Sequence, residues 1–162
     1  MSSALAVEQQ KISVGMGEIK LARHPDCLYS VLGSCIGLAI VHVRLKVGVF
    51  AHVVLPDSSG RAGPPGKYAD TAIPHMLEML REQKISRSGL VVKMTGGSQM
   101  FKTSGPMQIG QTNADAVQAA LKEVGIAVQV QEIGGTDGRR VSIDCSTGLL
   151  TISRVGHPDQ VI

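Results

Sequence analysis

Two residue types in this chain pair a nucleophile with a base. Cys35 sits in GSCIG, residues 33–37, and His52 sits in AHVVLP, residues 51–56. A thiol attacks an acyl carbon only as thiolate, and at neutral pH it needs a neighbouring imidazole or helix terminus to become one. The attack also needs free backbone N–H groups to receive the oxyanion. Gly33, Ser34 and Gly37 permit a tight bend with close approach of another group, so Gly33 and Ser34 are the candidate oxyanion and substrate positions. The spacing mimics the G-x-nucleophile-x-G elbow, but that elbow leads into a helix. Here a strand pattern follows. The residues alone also fit a buried thiol and a buried imidazole, both ordinary core groups.

The other histidines offer less. His42 falls between Val41 and Val43 in the middle of an apolar stretch and reads as structural. His75 lies within a helical pattern, and His24 and His157 lie near the termini. No C-x-x-C or H-x-x-x-H occurs, so neither a metal site nor a cofactor is expected. The paired glycines, Gly96 with Gly97 and Gly134 with Gly135, make no phosphate loop and read as turns.

The elements that must carry Cys35 and His52 follow from the apolar pattern. Residues 36–44, IGLAIVHVR, and 48–55, GVFAHVVL, are short, β-branched and bounded by turn residues, as strands of a covered sheet are. With LKVG as a tight connection they form a hairpin, which can bring Cys35 at the start of one strand near His52 at the end of the other. The segment DSSGRAGPPGK, from Asp57 to Lys67, is expected to be an exposed loop. In YADTAIPHMLEMLREQ, Ala69, Ile73, Met76, Leu77 and Leu80 recur at helical spacing, with the start near Asp70 or Thr71. GLVVKMTGG is a strand. QTNADAVQAALKEVG is a second helix, capped by Thr112, with Val117, Leu121 and Val124 inward and Gly125 as its end. IAVQVQEI, RRVSIDC and LLTISRV complete the strands. The expected fold is an α/β (α+β) layered sandwich: a mixed β-sheet with hairpins and two main helices.

A chain of 162 residues with no repeat or low-complexity divide makes one domain, residues 1–162, with 1–13 expected as a flexible N-terminal extension. With no Trp, two Tyr and two Phe, the core is aliphatic and offers no stacking platform for single-stranded nucleic acid. A net charge of +3 without like-charged runs argues against a nucleic-acid footprint. The N-terminus carries no signal-peptide pattern, no apolar stretch reaches membrane length, and three cysteines without framework spacing read as free thiols. A cytoplasmic location is expected.

Several motifs in fixed order now matter together: LGSC (32–35), AHVVLPDS (51–58), PGKYADTAIPHMLEML (65–80), TGGSQMF (95–101), IGQTNADAVQAALKEVGI (109–126) and the closing GRRVSIDCSTGLLTISRV. From about residue 14 to residue 155 the sequence resembles CheD, the chemoreceptor glutamine deamidases of bacterial and archaeal chemotaxis. The resemblance implies hydrolysis of selected glutamine side chains on methyl-accepting chemotaxis receptors to glutamate and ammonia, and the CheC phosphatase as a possible second partner. It implies Cys35 as nucleophile and His52 as catalytic histidine. The family's third catalytic position is a threonine shortly before LGSC; Tyr29 and Ser30 stand there, and Ser30, which keeps a hydroxyl, is assigned to it. The Asp57–Lys67 loop, Lys67 to Asp70, and Gly96, Gly97 and Ser98 would flank the cleft. The alternative is an adaptor that binds receptor or CheC with an idle thiol. Peptidase activity and transamidation are further outcomes open to the same acyl-enzyme.

Overall fold

The long buried hairpin dictates the architecture. Strands β4 (Ile36–His42) and β5 (Val47–Val53) are buried at all seven positions each, so both faces of their sheet must be covered. Side chains alternate across a strand, and the two faces meet different partners. Ile36, Leu38, Ile40, Val47, Val49, Ala51 and Val53 pack on two helices, α1 (Ala69–Glu82) and α2 (Ile109–Glu123). Ala39, Val41 and Phe50 face the other way, onto Leu28, Leu32, Val141, Ile143, Leu150 and Ile152 of a second sheet. The computed structural model describes residues 8–99 and 108–162.

Among the described residues there are thus three layers. The middle sheet runs β2 (Ile19–Arg23), β5, β4, β6 (Leu90–Gly96), β7 (Val130–Ile133). The outer sheet runs β1 (Lys11–Ser13), β3 (Cys27–Leu32), β8 (Arg139–Asp144), β9 (Leu150–Ser153), β10 (Gln160–Val161). Each is mixed: β1 with β3 and β6 with β7 are parallel, the remaining pairs antiparallel. The layered α+β sandwich expected from sequence holds, with two sheets where one was expected. Strands β1, β2 and β3 were not read from the apolar pattern, because β2 is half exposed and β3 presents Tyr29 and Val31 to its outer face. Lys11–Ser13, within the segment expected as an extension, forms β1; residues 1–7, and Met100 and Phe101 of the TGGSQMF motif, lie outside the described residues.

Helix α1 buries the expected face, Ala69, Ile73, Met76 and Leu80, and adds Ala72, with Leu77 half buried. Helix α2 starts three residues before the expected cap: Gln108 precedes it, and the Thr112 hydroxyl donates to the Gln108 carbonyl from inside the helix. The Asp57–Lys67 loop is not free chain. Ser58 is buried and donates through its N–H and Oγ to the Asp70 carboxylate, and Pro65–Lys67 form a single 3-10 turn. At the far edge, Glu132 of β7 accepts from Arg139 of β8, from Arg154 just past β9 and from Thr95 of β6, tying the two sheets together.

Gly37 shows how tightly the inter-sheet layer is filled. A Cβ there would lie 2.5 Å from Cζ of Phe50 and 2.8 Å from Cδ1 of Leu32. Gly37→Ala is therefore expected to destabilise by about 1–3 kcal/mol, as overpacked cores do. Thermal denaturation should read this as a loss of about 2–12 °C in Tm.

Candidate functional site

Two chain crossings between the sheets meet at one end of the sandwich. Gly33, Ser34 and Cys35 carry the chain from β3 in the outer sheet to β4 in the middle sheet, and Val14–Glu18 carry it from β1 to β2. His52, at the end of β5, pairs with Gly37 of β4. Cys35 lies two residues before Gly37 and therefore shares its face, placing Cys35 and His52 diagonally across adjacent strands. Gly37, between them, has no side chain. The spacing of GSCIG and AHVVLP thus brings thiol and imidazole onto the same face, toward the outer sheet.

The Val14–Glu18 crossing wraps His52. The Gly17 N–H donates to the His52 carbonyl at 2.9 Å and the His52 N–H donates to the Glu18 carbonyl at 3.1 Å. On the side chain, Nδ1 lies 2.9 Å from Ser30 Oγ and 3.2 Å from the Val14 carbonyl, and Ser30 Oγ donates to that carbonyl at 2.6 Å. A carbonyl only accepts, and the single Ser30 proton is used on it. Nδ1 must then carry the imidazole proton and donate, which leaves Nε2 with a free lone pair. Ser30, inward-facing on β3 between Leu28 and Leu32, is the residue of the Tyr29 and Ser30 pair that reaches His52; Tyr29 points to the opposite face of the outer sheet.

Both groups are neutral at rest. Burial lowers the His52 pKa, opposed by the Val14 contact and the Glu18 charge. Burial raises that of Cys35. Among the described residues no hydrogen bond joins the Cys35 thiol to His52. A thiolate–imidazolium pair is therefore not preformed, so any attack by this thiol would have to be accompanied by proton transfer. The expected consequence is that iodoacetamide alkylation of Cys35 in the free protein rises about tenfold per pH unit from pH 7 to 8.5 without a plateau, followed by peptide mass mapping to separate Cys35 from Cys27 and Cys145.

The turn bearing Cys35 is strapped from below. The Gly97 N–H donates to the Cys35 carbonyl at 2.9 Å, and the Ser98 N–H donates to the Gly33 carbonyl at 3.0 Å. Gly96 allows this approach: its φ is +108°, and a Cβ there would lie 2.3 Å from the Cys35 oxygen. Asn113 of α2, fully buried, donates from Nδ2 to the Ser34 carbonyl at 3.2 Å and to the Val54 carbonyl at 2.9 Å. Among the described residues the N–H groups of Ser34 and Cys35 have no acceptor.

The structure brings Cys35, His52, Ser30, Gly33 and Ser34 together, with Gly96, Gly97 and Ser98 beneath them. Lys67 and Asp70 belong to the neighbouring loop anchor: the Lys67 carbonyl accepts from the N–H groups of Val54 and Leu55. His42 ends β4 and accepts from the Leu45 N–H, and His24, His75 and His157 are exposed. Sequence reasoning missed the Val14–Glu18 crossing and Asn113. The signal for Asn113 was present, as a polar residue on the inward stripe Gly110, Ala114, Val117 and Leu121. The groove of about 620 Å³ between the end of α2 and β7 contains neither Cys35 nor His52. Among the described residues no cluster of metal-ligating side chains occurs, and no helix is long and apolar enough to cross a membrane.

Comparison with known proteins places the chain in a family. The family model for CheD, described as CheD chemotactic sensory transduction, matches residues 54–154, beginning just past His52. Full-length relatives extend the similarity. A protein of Symbiobacterium thermophilum named probable chemoreceptor glutamine deamidase CheD is 41% identical over 153 residues, 90% of this chain and 93% of the relative. The chemoreceptor glutamine deamidase CheD of Thermotoga maritima is 38% identical, covering 91% of this chain and 94% of its own. A Methanococcus vannielii protein of the same probable function is 38% identical over 88% of this chain and 94% of the relative. With more than half of its length matched by the family model and relatives aligned over nine-tenths of it, this chain belongs to the CheD family.

Proposed function

We propose that this protein is a cysteine-dependent protein-glutamine deamidase that hydrolyses glutamine side-chain amides on the cytoplasmic part of chemoreceptors, giving glutamate and ammonia. The observation that carries the reading is the orientation of His52. Its Nδ1 proton is held by Ser30 and Val14, and the free Nε2 shares a face with Cys35. The names of relatives aligned over most of the chain supply the substrate class.

In this reaction the Cys35 proton passes to Nε2 of His52 as sulfur attacks the glutamine δ-carbon. The N–H groups of Ser34 and Cys35 receive the oxyanion. The imidazolium returns the proton to the departing nitrogen, the C–N bond breaks, and ammonia leaves a thioester on Cys35. His52 then takes a proton from water, hydroxide adds to the thioester carbon, and collapse frees the glutamate carboxyl and the thiolate, which regains its proton from His52. Ser30 keeps the imidazole in the required tautomer throughout and steadies its charged form. Residues 1–162 act as one catalytic domain, and CheC is a further partner that would compete for the face bearing Cys35.

The test is incubation with the cytoplasmic fragment of a chemoreceptor, measuring ammonia release and the glutamine-to-glutamate mass change by peptide mapping. Conversion at discrete glutamines supports the reading. Receptor binding without any conversion would replace it with the adaptor.

A further inference from the structure

Asn113 takes no part in the steps above, yet its surroundings are unusual for a helix residue facing a core. The inward stripe of α2 is small or apolar at Gly110, Ala114, Val117 and Leu121, and Asn113 interrupts it at zero exposure. Its Nδ2 donates to two carbonyls from separate segments: Ser34, next to the nucleophile, and Val54, two residues beyond His52. Its Oδ1 is buried and, among the described residues, accepts from nothing. Leaving a buried acceptor unpaired is unfavourable, so packing alone would favour an aliphatic residue here. The position uses an amide for its two donated bonds.

Those bonds have a directional consequence. In a planar trans peptide the C=O and N–H point in opposite directions. Asn113 draws the Ser34 carbonyl toward the helix layer, so the N–H of the same peptide unit, that of Cys35, is turned toward the opposite, inter-sheet side. Cys35 packs with that inter-sheet layer, and His52 shares its face. The Ser98 N–H does the same for the preceding peptide: it holds the Gly33 carbonyl and turns the Ser34 N–H outward. The second Asn113 bond, to Val54, ties this turn to the strand that carries the base.

We propose that Asn113 is a positioning residue for the oxyanion site: by pinning the Ser34 carbonyl it aims the Cys35 N–H at the tetrahedral intermediate and fixes the nucleophile turn against the His52 strand. The inference rests on the deamidase reading. It separates two reactions of the same thiol, since amide hydrolysis passes through an oxyanion and alkylation by iodoacetamide does not.

The experiment compares wild type, Asn113→Ala and Asn113→Asp for deamidation of a receptor fragment and for iodoacetamide alkylation of Cys35, with thermal melting as the folding control. In Asn113→Asp the carboxylate offers no donor to either carbonyl. The expected result is a kcat lower by about 100-fold, the scale of a lost oxyanion donor, with KM little changed and the alkylation rate within about twofold. An unchanged kcat, or deamidation and alkylation falling in parallel, would overturn the assignment. Should neither variant fold, amide hydrogen exchange on the wild type decides: unprotected N–H groups at Ser34 and Cys35 are expected, and strong protection at Cys35 contradicts the clamp. A wild type that forms no glutamate on any receptor fragment defeats the deamidase reading instead, and the exchange arm still judges the clamp by itself.

Discussion

Cys35→Ala is expected to abolish deamidation, lowering ammonia release from a receptor fragment by about 10⁴-fold or more, as removal of a covalent nucleophile does. Cys35→Ser should be equally inactive, because an imidazole whose pKa is held down by burial is a poor base for an alcohol. The substitution removes one sulfur from a residue packed at the edge of the inter-sheet layer, so folding should survive. The check is ammonia release with mass mapping of the fragment, beside a melting curve and a binding measurement. Retained binding with lost conversion separates the chemistry from recognition.

The second large effect belongs to His52. His52→Gln keeps a donor toward Ser30 and Val14 but removes the base, and kcat should fall by about 10³- to 10⁴-fold. Ser30→Ala leaves Nδ1 its contact with Val14, so a decrease nearer tenfold is expected. The pH dependence of stability tests the buried neutral state of His52. Burial depresses the His52 pKa below its ordinary value of about 6.5. A depressed base contributes stability that is fully present above the unfolded pKa and is lost as pH falls through the folded one. Wild-type Tm should therefore decline on acidification below pH about 6.5, ahead of the carboxylate range, and His52→Gln should flatten that slope. A profile identical in both proteins would remove His52 from the buried neutral state.

How much of this was legible in the sequence depends on the range of the interaction. GSCIG and AHVVLP announce a turn and a strand end by local composition, and the hairpin between them has a pairing fixed by its own short connection. Their common face follows from strand alternation alone. The α1 face, and Gly125 as the left-handed residue just past the Val124 cap of α2, were readable for the same reason. The rest depends on contacts between distant segments. Nothing local says that Val14 will reach His52 from the first crossing or that β3 belongs to a separate sheet. Thr112 resembles a cap in isolation, yet α2 begins earlier, where Gly110 packs on the Gly97 and Ser98 backbone. Ser30 drew attention through the family's threonine; that its hydroxyl lies against Nδ1 is a property of the two sheets meeting. Asn113 stands out in sequence only as a polar residue on the inward stripe of α2; what it binds is not local, because its acceptors are 79 and 59 residues away.

The central claim is that glutamine hydrolysis proceeds through a covalent bond to Cys35. The most direct measurement is rapid acid quench of wild type turning over a receptor fragment, followed by intact-protein mass spectrometry and fragment mapping. A transient species with the summed mass of both chains less one ammonia, joined at Cys35 and absent from Cys35→Ala, is the predicted result. Glutamate formation that continues in Cys35→Ala, with no such species in the wild type, would contradict it.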